Sequence, residues 1–310
     1  MLTTGTDIAH AATRIASGKL VAMPTETVYG LAGNALDGAT IKRIYAAKGR
    51  PSHNPLIVHI YNIEQAKAYT QWNEYAERLS AIYWPGPLTM VLKRKANCPI
   101  SPLASAGLDT LAIRMPAHPT ARELLAACDL PLVAPSANLS GTITATNAQH
   151  VMDDFTSQDI YVLEAGATEI GLESTVIKLA GEPTLLRPGS ISKADLESAL
   201  GTSVQQQTHN DETPDAPGML TSHYAPKAAL RLNATSIKEG EALLAFGQPI
   251  AHAGTTINVS EKGDLEEASN GLFAALRKLD KMGVQTIAVM PIPNEGIGIA
   301  INDRLRRAAV

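Results

Sequence analysis

Lys48, Arg50 and Asn54 stand together in the segment KGRPSHNPL, residues 48–56. Two cations and an amide donor so spaced could hold an anion, because guanidinium and ammonium groups pair with phosphate and carboxylate oxygens. Thr25, Glu26 and Thr27 follow Pro24 at the end of the apolar run 20–23. Groups of the same kind recur downstream. SANLSG (136–141) offers hydroxyls and an amide, with Thr144 just beyond; Arg114 closes the run TLAIR; Ser174 lies in GLESTV (171–176); Arg187 lies in LLRPG. For any one of these a solvated loop or a turn is the plain alternative, since Ser, Asn and Gly favour turns for local reasons. As a set they crowd strand ends, where open α/β sheets hold their ligands.

The elements that would position these groups can be read around residues 22–60. The run 20–23 has strand length and Pro24 stops it. Gly30 and Gly33 suit a tight turn or a close approach of the backbone to a ligand. The spacing of Ile41, Ile44 and Tyr45 predicts a helix over 39–48, which delivers Lys48 and Arg50 into a loop stiffened by Pro51 and Pro55. A strand over 56–60 then carries His59. Further strands are expected at 88–92, 110–115, 132–134, 160–164, 174–179 and 184–186, and helices at 6–17, 63–69, 73–83, 119–128, 145–155 and 193–200. Strands and helices in this irregular order predict a mixed α/β sheet.

Composition narrows the function. Of 310 residues, 45% are hydrophobic, 18% charged and 4% aromatic, with a formal net charge of −4. That is a globular balance with few stacking platforms and no general affinity for nucleic-acid phosphates. Cys98 and Cys128 have no ligand-like spacing and read as buried thiols of a reducing compartment. The histidines form no HxxxH pair, which argues against zinc. No GxxxxGK[ST] or GxSxG motif occurs, so a nucleotide must be held by separate strand-end loops without a P-loop. No apolar run has membrane-spanning length and the N-terminus has no signal-peptide character, so no membrane partner is expected and the cytoplasm is the expected location.

This length predicts two domains. A first covers 1–203; a polar, aperiodic stretch marks a linker at 204–226; a small α/β unit covers 227–310. In that unit strands are expected at 229–232, 256–259 and 286–290, and helices at 236–244, 265–282 and 299–309. GIGIAINDRLRRAA has a GxG at a helix start without a third glycine, which reads as close packing and not as a dinucleotide fingerprint.

PTETVYGL followed by KGRPSHNPL resembles the nucleotide-binding core of the YrdC-like domain, the threonylcarbamoyl-AMP synthase family, and SANLSG, AIRMPAHP, GLESTV and LLRPG are similar to further family elements in the family's order. The resemblance to its two-domain members implies a YrdC-like mixed twisted sheet with helices, followed by a small Rossmann-like three-layer α/β domain. It implies an ATP-dependent nucleotidyltransferase that joins L-threonine, bicarbonate and ATP into threonylcarbamoyl-AMP and pyrophosphate, for threonylcarbamoyladenosine beside the tRNA anticodon. Carried over by position, the L-threonine end falls on Thr27, His59, Arg114, the Ala134 backbone and Ser174. The ATP end falls on Arg50, Asn54, Thr110, Ser136, Thr144, Arg187 and Tyr224, and Lys48 lies between the two ends as the catalytic partner of Arg50. Magnesium would arrive with ATP, held mostly by its phosphates. The product would be handed to a downstream tRNA threonylcarbamoyl transferase without stable nucleic-acid binding. The segment PGMLTSHYAP (217–226) is similar to one that folds over the site mouth in the family, but Leu220, Thr221 and Ser222 replace the usual basic and aromatic types. Tyr224, with His223, is left as the expected contact to the nucleotide. The competing reading is a double-stranded RNA or ribosome-binding module using the same cationic cleft; a hydrogenase-maturation enzyme sharing the domain would need paired-cysteine zinc modules, which two cysteines cannot supply.

Overall fold

The computed structural model describes residues 1–207, 224–252 and 254–310. Its first sheet contains β1 (Thr3–Gly5), β2 (Leu20–Met23), β3 (Gly30–Asn34), β4 (Ile57–His59), β5 (Leu88–Lys93), β6 (Thr110–Arg114), β7 (Leu132–Val133), β8 (Ile160–Leu163), β9 (Thr175–Lys178), β10 (Thr184–Arg187) and β11 (Gln205–Gln206). The helices among them are α1 (Ile8–Ala16), α2 (Gly38–Lys48), α3 (Ile63–Tyr69), α4 (Glu74–Tyr83), α5 (Pro119–Cys128), α6 (Ala148–Asp154) and α7 (Lys193–Leu200). Strand order across the sheet is β1-β8-β2-β3-β7-β4-β6-β5-β9-β10-β11. β4 and β6 are parallel, whereas β5–β6 and β4–β7 are antiparallel, so the sheet is mixed as expected.

The helix that presents the cationic segment is built from local signals. Asp37 caps α2 by accepting from the Ala39 and Thr40 amides, which satisfies two of the donors a helix start leaves open. Gly49 ends it at φ 60°, a left-handed conformation that a glycine adopts without steric cost. Ile41, Ile44 and Tyr45 bury one face against the sheet. That docking explains Gly33, which sits inside strand β3 and not in a turn. A Cβ there would come within 2.5 Å of Thr40 Cγ2 and 3.1 Å of Ile44 Cδ1. Gly30, also in β3, would meet Ala134 Cβ at 3.0 Å. Both glycines therefore serve close approach, and the turn reading of this stretch is corrected.

The second sheet contains β12 (Ala229–Arg231), β13 (Glu241–Ala245), β14 (Thr256–Asn258) and β15 (Thr286–Val289), with α8 (Leu265–Lys281) and α9 (Gly298–Ala308). Its order is β12-β15-β13-β14 and all its neighbours are parallel. The helix expected at 236–244 is overturned. EALLA is the buried strand β13, paired on both sides by β15 and β14. Glu, Ala and Leu favour helices, but a strand buried on both faces also reads as an unbroken apolar run. β1, β3 and β11 were not expected as strands. β11 extends the first sheet to Gln206, past the expected change of unit at 203, because its exposed glutamines look like linker composition.

The two sheets share apolar contacts. Ile143 and Leu172, which precede β9, join the cluster formed by Tyr224, Phe273, Leu276 and Leu305. Gly171, at φ 78°, brings the backbone so near α8 that a Cβ would lie 2.6 Å from Asn270 main-chain atoms. Leu220, Thr221, Ser222 and His223 lie outside the described residues.

Candidate active site

Sheet register builds the first half of the site. Parallel pairing of β4 and β6 sets His59 opposite Arg114, and β7 flanks His59 with Leu132, two residues before Ala134. Thr25 Oγ fixes the turn after β2 by accepting from the Thr27 and Val28 amides and donating to Val28 O at 2.6 Å. This holds Thr27 Oγ 2.9 Å from Arg114 Nη1. Arg114 is held from three sides, because its Nη2 pairs with Glu26 Oε1 at 2.6 Å and its Nε donates to Gly86 O at 3.2 Å. Burial first, and the Arg114 charge second, push the His59 pKa down to about 3 against a weak opposing bond to Ile57 O. His59 is therefore neutral at physiological pH. Ser174 Oγ shares a hydrogen bond with Thr89 Oγ at 2.8 Å and accepts from Arg187 Nη2 at 3.1 Å.

Thr27, His59, Arg114, Ala134 and Ser174, the expected L-threonine end, all line one cleft. Arg50, Ser136, Arg187 and Tyr224 of the expected ATP end line the same cleft, which encloses about 520 Å³ of empty space, part of it open to solvent. Arg50 is aimed by two backbone bonds, Nε to Asn54 O at 3.3 Å and Nη2 to Pro55 O at 3.0 Å. Burial lowers the pKa of Arg50 and of Arg187 to about 10, so both stay charged at neutral pH.

Lys48, Asn54, Thr110 and Thr144 are not among the lining residues. Lys48 is turned into the protein, where Nζ donates to Ser136 O at 2.5 Å and to Asn138 O. Burial, then the Arg50 charge, hold its pKa well below the lysine range, with Asp154 and Glu173 opposing. It ties the SANLSG loop to α2 and does not face the cleft as the sequence led us to expect. Thr144 gives its hydroxyl to Glu173 Oε1 at 2.7 Å. Thr110 opens β6 away from the Arg114 end. Asn54 is buried beside Arg50, and neither its Oδ1 nor its Nδ2 has a partner among the described residues. An unpaired buried amide costs about 1–3 kcal/mol, so it marks a place where a ligand or water completes the site.

Several functional groups escape a sequence reading. Glu26 and Glu173 both lay within quoted motifs, but nothing in their spacing showed that one would pair with Arg114 and the other would face the cleft. Arg304 and Arg307 on α9 come from the second sheet. Arg304 is 1% exposed and its Nε meets Glu173 Oε2 at 2.9 Å. Both guanidinium groups stand over the Tyr224 ring, at 5.5 and 5.0 Å from its centroid, and Tyr224 stacks on Phe273 at 5.5 Å. Among the described residues Glu173 is the single carboxylate in the cleft wall, and no group of three or more metal-ligating side chains occurs.

The family described as "Telomere recombination" matches residues 13–189, and "Threonylcarbamoyl-AMP synthase, C-terminal domain" matches 191–310. The chain belongs to the threonylcarbamoyl-AMP synthase family. It is 40% identical to the threonylcarbamoyl-AMP synthase of Pyrococcus abyssi, over 95% of this chain and 92% of that one. It is 40% identical to the Bacillus subtilis threonylcarbamoyl-AMP synthase, over 97% of this chain and 92% of the relative. The crystal structure of P. abyssi Sua5 complexed with L-threonine superposes with a TM-score of 0.91 at 36% identity, covering 100% of this chain and 97% of that one. The mixed α/β architecture in two sheets is the family's, and the RNA-binding module is set aside as the primary reading.

Proposed function

We propose that this chain joins L-threonine, bicarbonate and ATP into threonylcarbamoyl-AMP and pyrophosphate, the activated group for threonylcarbamoyladenosine in tRNA. One observation carries the reading. A single cleft combines a neutral, hydroxyl-rich end around Arg114 with a cationic end around Arg50 and Arg187. The amino acid belongs at the first end. Arg114 is the group suited to its carboxylate, and Thr27, Ser174 and neutral His59 can hydrogen-bond its hydroxyl and amine. ATP belongs at the second end, where Arg50, Arg187 and Ser136 can hold phosphates and base.

The reaction needs no protein nucleophile. The threonine amine and bicarbonate give a carbamate and water; a carbamate oxygen attacks the α-phosphorus and pyrophosphate leaves. Both reactants are anions, so the fixed cations act by bringing them together and by stabilising charge spread over phosphate oxygens. Magnesium brought by ATP would be held by phosphate oxygens, which fits a wall with one carboxylate. Lys48 acts indirectly, by holding the loop that carries Ser136.

The proposed division of the chain is a catalytic unit that runs through β11 to Gln206, a linker and lid up to residue 226 and a small unit at 227–310. Tyr224 in the cleft wall supports a lid that shields a water-labile product. The product's lability supports hand-over to a downstream tRNA threonylcarbamoyl transferase in the cytoplasm. Pyrophosphate release that requires both L-threonine and bicarbonate tests the reading. ATP turnover indifferent to the amino acid, with RNA binding that falls steeply with salt, would favour the nucleic-acid module instead.

A further inference from the structure

The second unit grips the first behind the cleft wall through two arginines that converge on Thr144. Arg277 of α8 donates to Thr144 O at 3.2 Å and to Ile143 O, and pairs with Asp154 through both terminal nitrogens. Arg304 of α9 meets Glu173 Oε2, while Glu173 Oε1 accepts the Thr144 hydroxyl. Thr144 is thus gripped at its backbone by one helix and at its side chain, through Glu173, by the other. Arg304 itself does not line the cleft. Its Nη1 pairs with Asp303 at 2.7 Å, and its Nη2 is buried without a partner among the described residues.

Glu173 poses an electrostatic problem. It is 6% exposed and lies in the wall of a cleft read as binding polyanionic ATP and a carboxylate. Burial raises its pKa, but the Arg304 and Arg187 charges and the Thr144 hydroxyl outweigh burial and hold it at about 2. It is a full negative charge at any pH where the protein works. Unless neutralised, it would repel phosphates and compete with them for Arg187. A unit charge at roughly 8–10 Å in a medium of effective dielectric about 20 shifts a binding equilibrium by on the order of 15- to 30-fold.

We propose that Arg304 is a positioning residue by which the second unit cancels the Glu173 charge and so opens the nucleotide end to ATP. The proposal rests on the reading of this cleft as the ATP site. It assigns the second unit a part in substrate affinity: undocking α9 leaves the carboxylate exposed to the phosphates.

The test measures ATP binding by calorimetry and steady-state turnover on the full chain. Arg304→Met should raise the ATP Kd and KM by about tenfold or more while leaving the L-threonine KM within about twofold. Arg304→Lys, which keeps the charge, should bind ATP more tightly than Arg304→Met. Adding Glu173→Gln to Arg304→Met should restore ATP affinity to within about threefold of Glu173→Gln alone, because the charge to be cancelled is gone. A double variant as weak as Arg304→Met would make Arg304 a packing anchor and overturn the proposal. Should Arg304→Met fail to fold, the double variant decides, since removing both charges spares the fold an unpaired buried carboxylate. Folded and ATP-binding, it supports the proposal; unfolded, it overturns it. A wild type that turns over ATP beside an unaffected Arg304→Met overturns only this role; a wild type that binds no ATP overturns the reading of the cleft.

Discussion

His59 and Arg114 face each other as register partners on the parallel strands β4 and β6, and the guanidinium helps to keep the imidazole uncharged. The consequence is acid lability. His59 has a pKa of about 3 in the fold against an ordinary 6.5. Between those values the unfolded chain takes up a proton that the folded ring refuses, so stability rises with pH through the window. It is fully present above about 6.5 and lost as pH falls towards 3, by an amount on the order of a few kcal/mol. His150, lowered to about 4 mainly by burial, acts with the same sign. Urea unfolding at pH 7.5 and pH 5 should give a clearly lower midpoint at pH 5, and His59→Gln should flatten that difference. An unchanged pH slope in His59→Gln would mean the ring is not held neutral.

Lys48→Ala should act on stability first. Removing Nζ leaves Ser136 O and Asn138 O without their donor inside the protein. Each orphaned acceptor costs about 1–3 kcal/mol, so thermal unfolding should shift down by several degrees, with activity lost as the Ser136 loop loosens. A Lys48→Ala protein with wild-type melting but abolished turnover would return Lys48 to direct contact with the reacting groups.

Arg50→Ala should act on ATP binding more than on stability. Its guanidinium bonds to backbone oxygens of its own loop and lines the cleft. Pro55 O then loses its donor while Asn54 O keeps the Tyr45 hydroxyl, so melting should fall modestly; hydrogen bonds to charged groups are worth about 1.5–3 kcal/mol, so the ATP affinity of the folded protein should fall at least about tenfold. Unchanged ATP binding by calorimetry would move the nucleotide away from Arg50.

Serine should be a poor substrate but not a dead one. Thr27, His59 and Ser174 line the cleft at the end proposed to take the amino acid. A pocket that merely loses a methyl contact discriminates by about 1–3 kcal/mol, so kcat/KM for serine should fall by about 10- to 200-fold. Equal kcat/KM for both amino acids would place the side chain outside this wall.

The nine lining residues were anticipated through the family resemblance; residue types alone marked only a cationic cleft, because polar types at strand ends, as at Arg114, Ser174 and Arg187, mark the mouth of a sheet without saying what binds there. Lys48 misled for the same reason. A cation at a helix end beside an anion-binding loop looks like a ligand contact, and only the fold shows two carbonyls taking its protons. Arg304 was illegible because its partner Glu173 lies 131 residues away in sequence. EALLA was misread because helix propensity is local, whereas the two flanking parallel strands that bury it are not.

Tyr224 is where packing and lid roles meet, and the side-chain environment decides how they separate. Its φ of 68° is unusual for a large side chain. The ring is buried between Phe273 and the guanidinium groups of Arg304 and Arg307, and it also lines the cleft. A nucleotide contact alone would make Tyr224→Ala weaken ATP binding with little effect on melting. The stacked, cation-flanked ring changes that expectation, because truncating a buried aromatic side chain costs about 3–5 kcal/mol. Tyr224→Ala should therefore lower the melting temperature and weaken ATP binding together. Tyr224→Phe keeps the stack on Phe273 and the two guanidinium contacts, so it should melt within a few degrees of wild type. If the ring serves chiefly to seal the cleft, Tyr224→Phe should also keep the wild-type ratio of L-threonine consumed to threonylcarbamoyl-AMP recovered. If the hydroxyl takes part in holding the nucleotide, Tyr224→Phe should raise the ATP KM at an unchanged melting temperature. Wild-type melting in Tyr224→Ala would show that the ring is not packed as a core residue in solution, and the anchor role would fall.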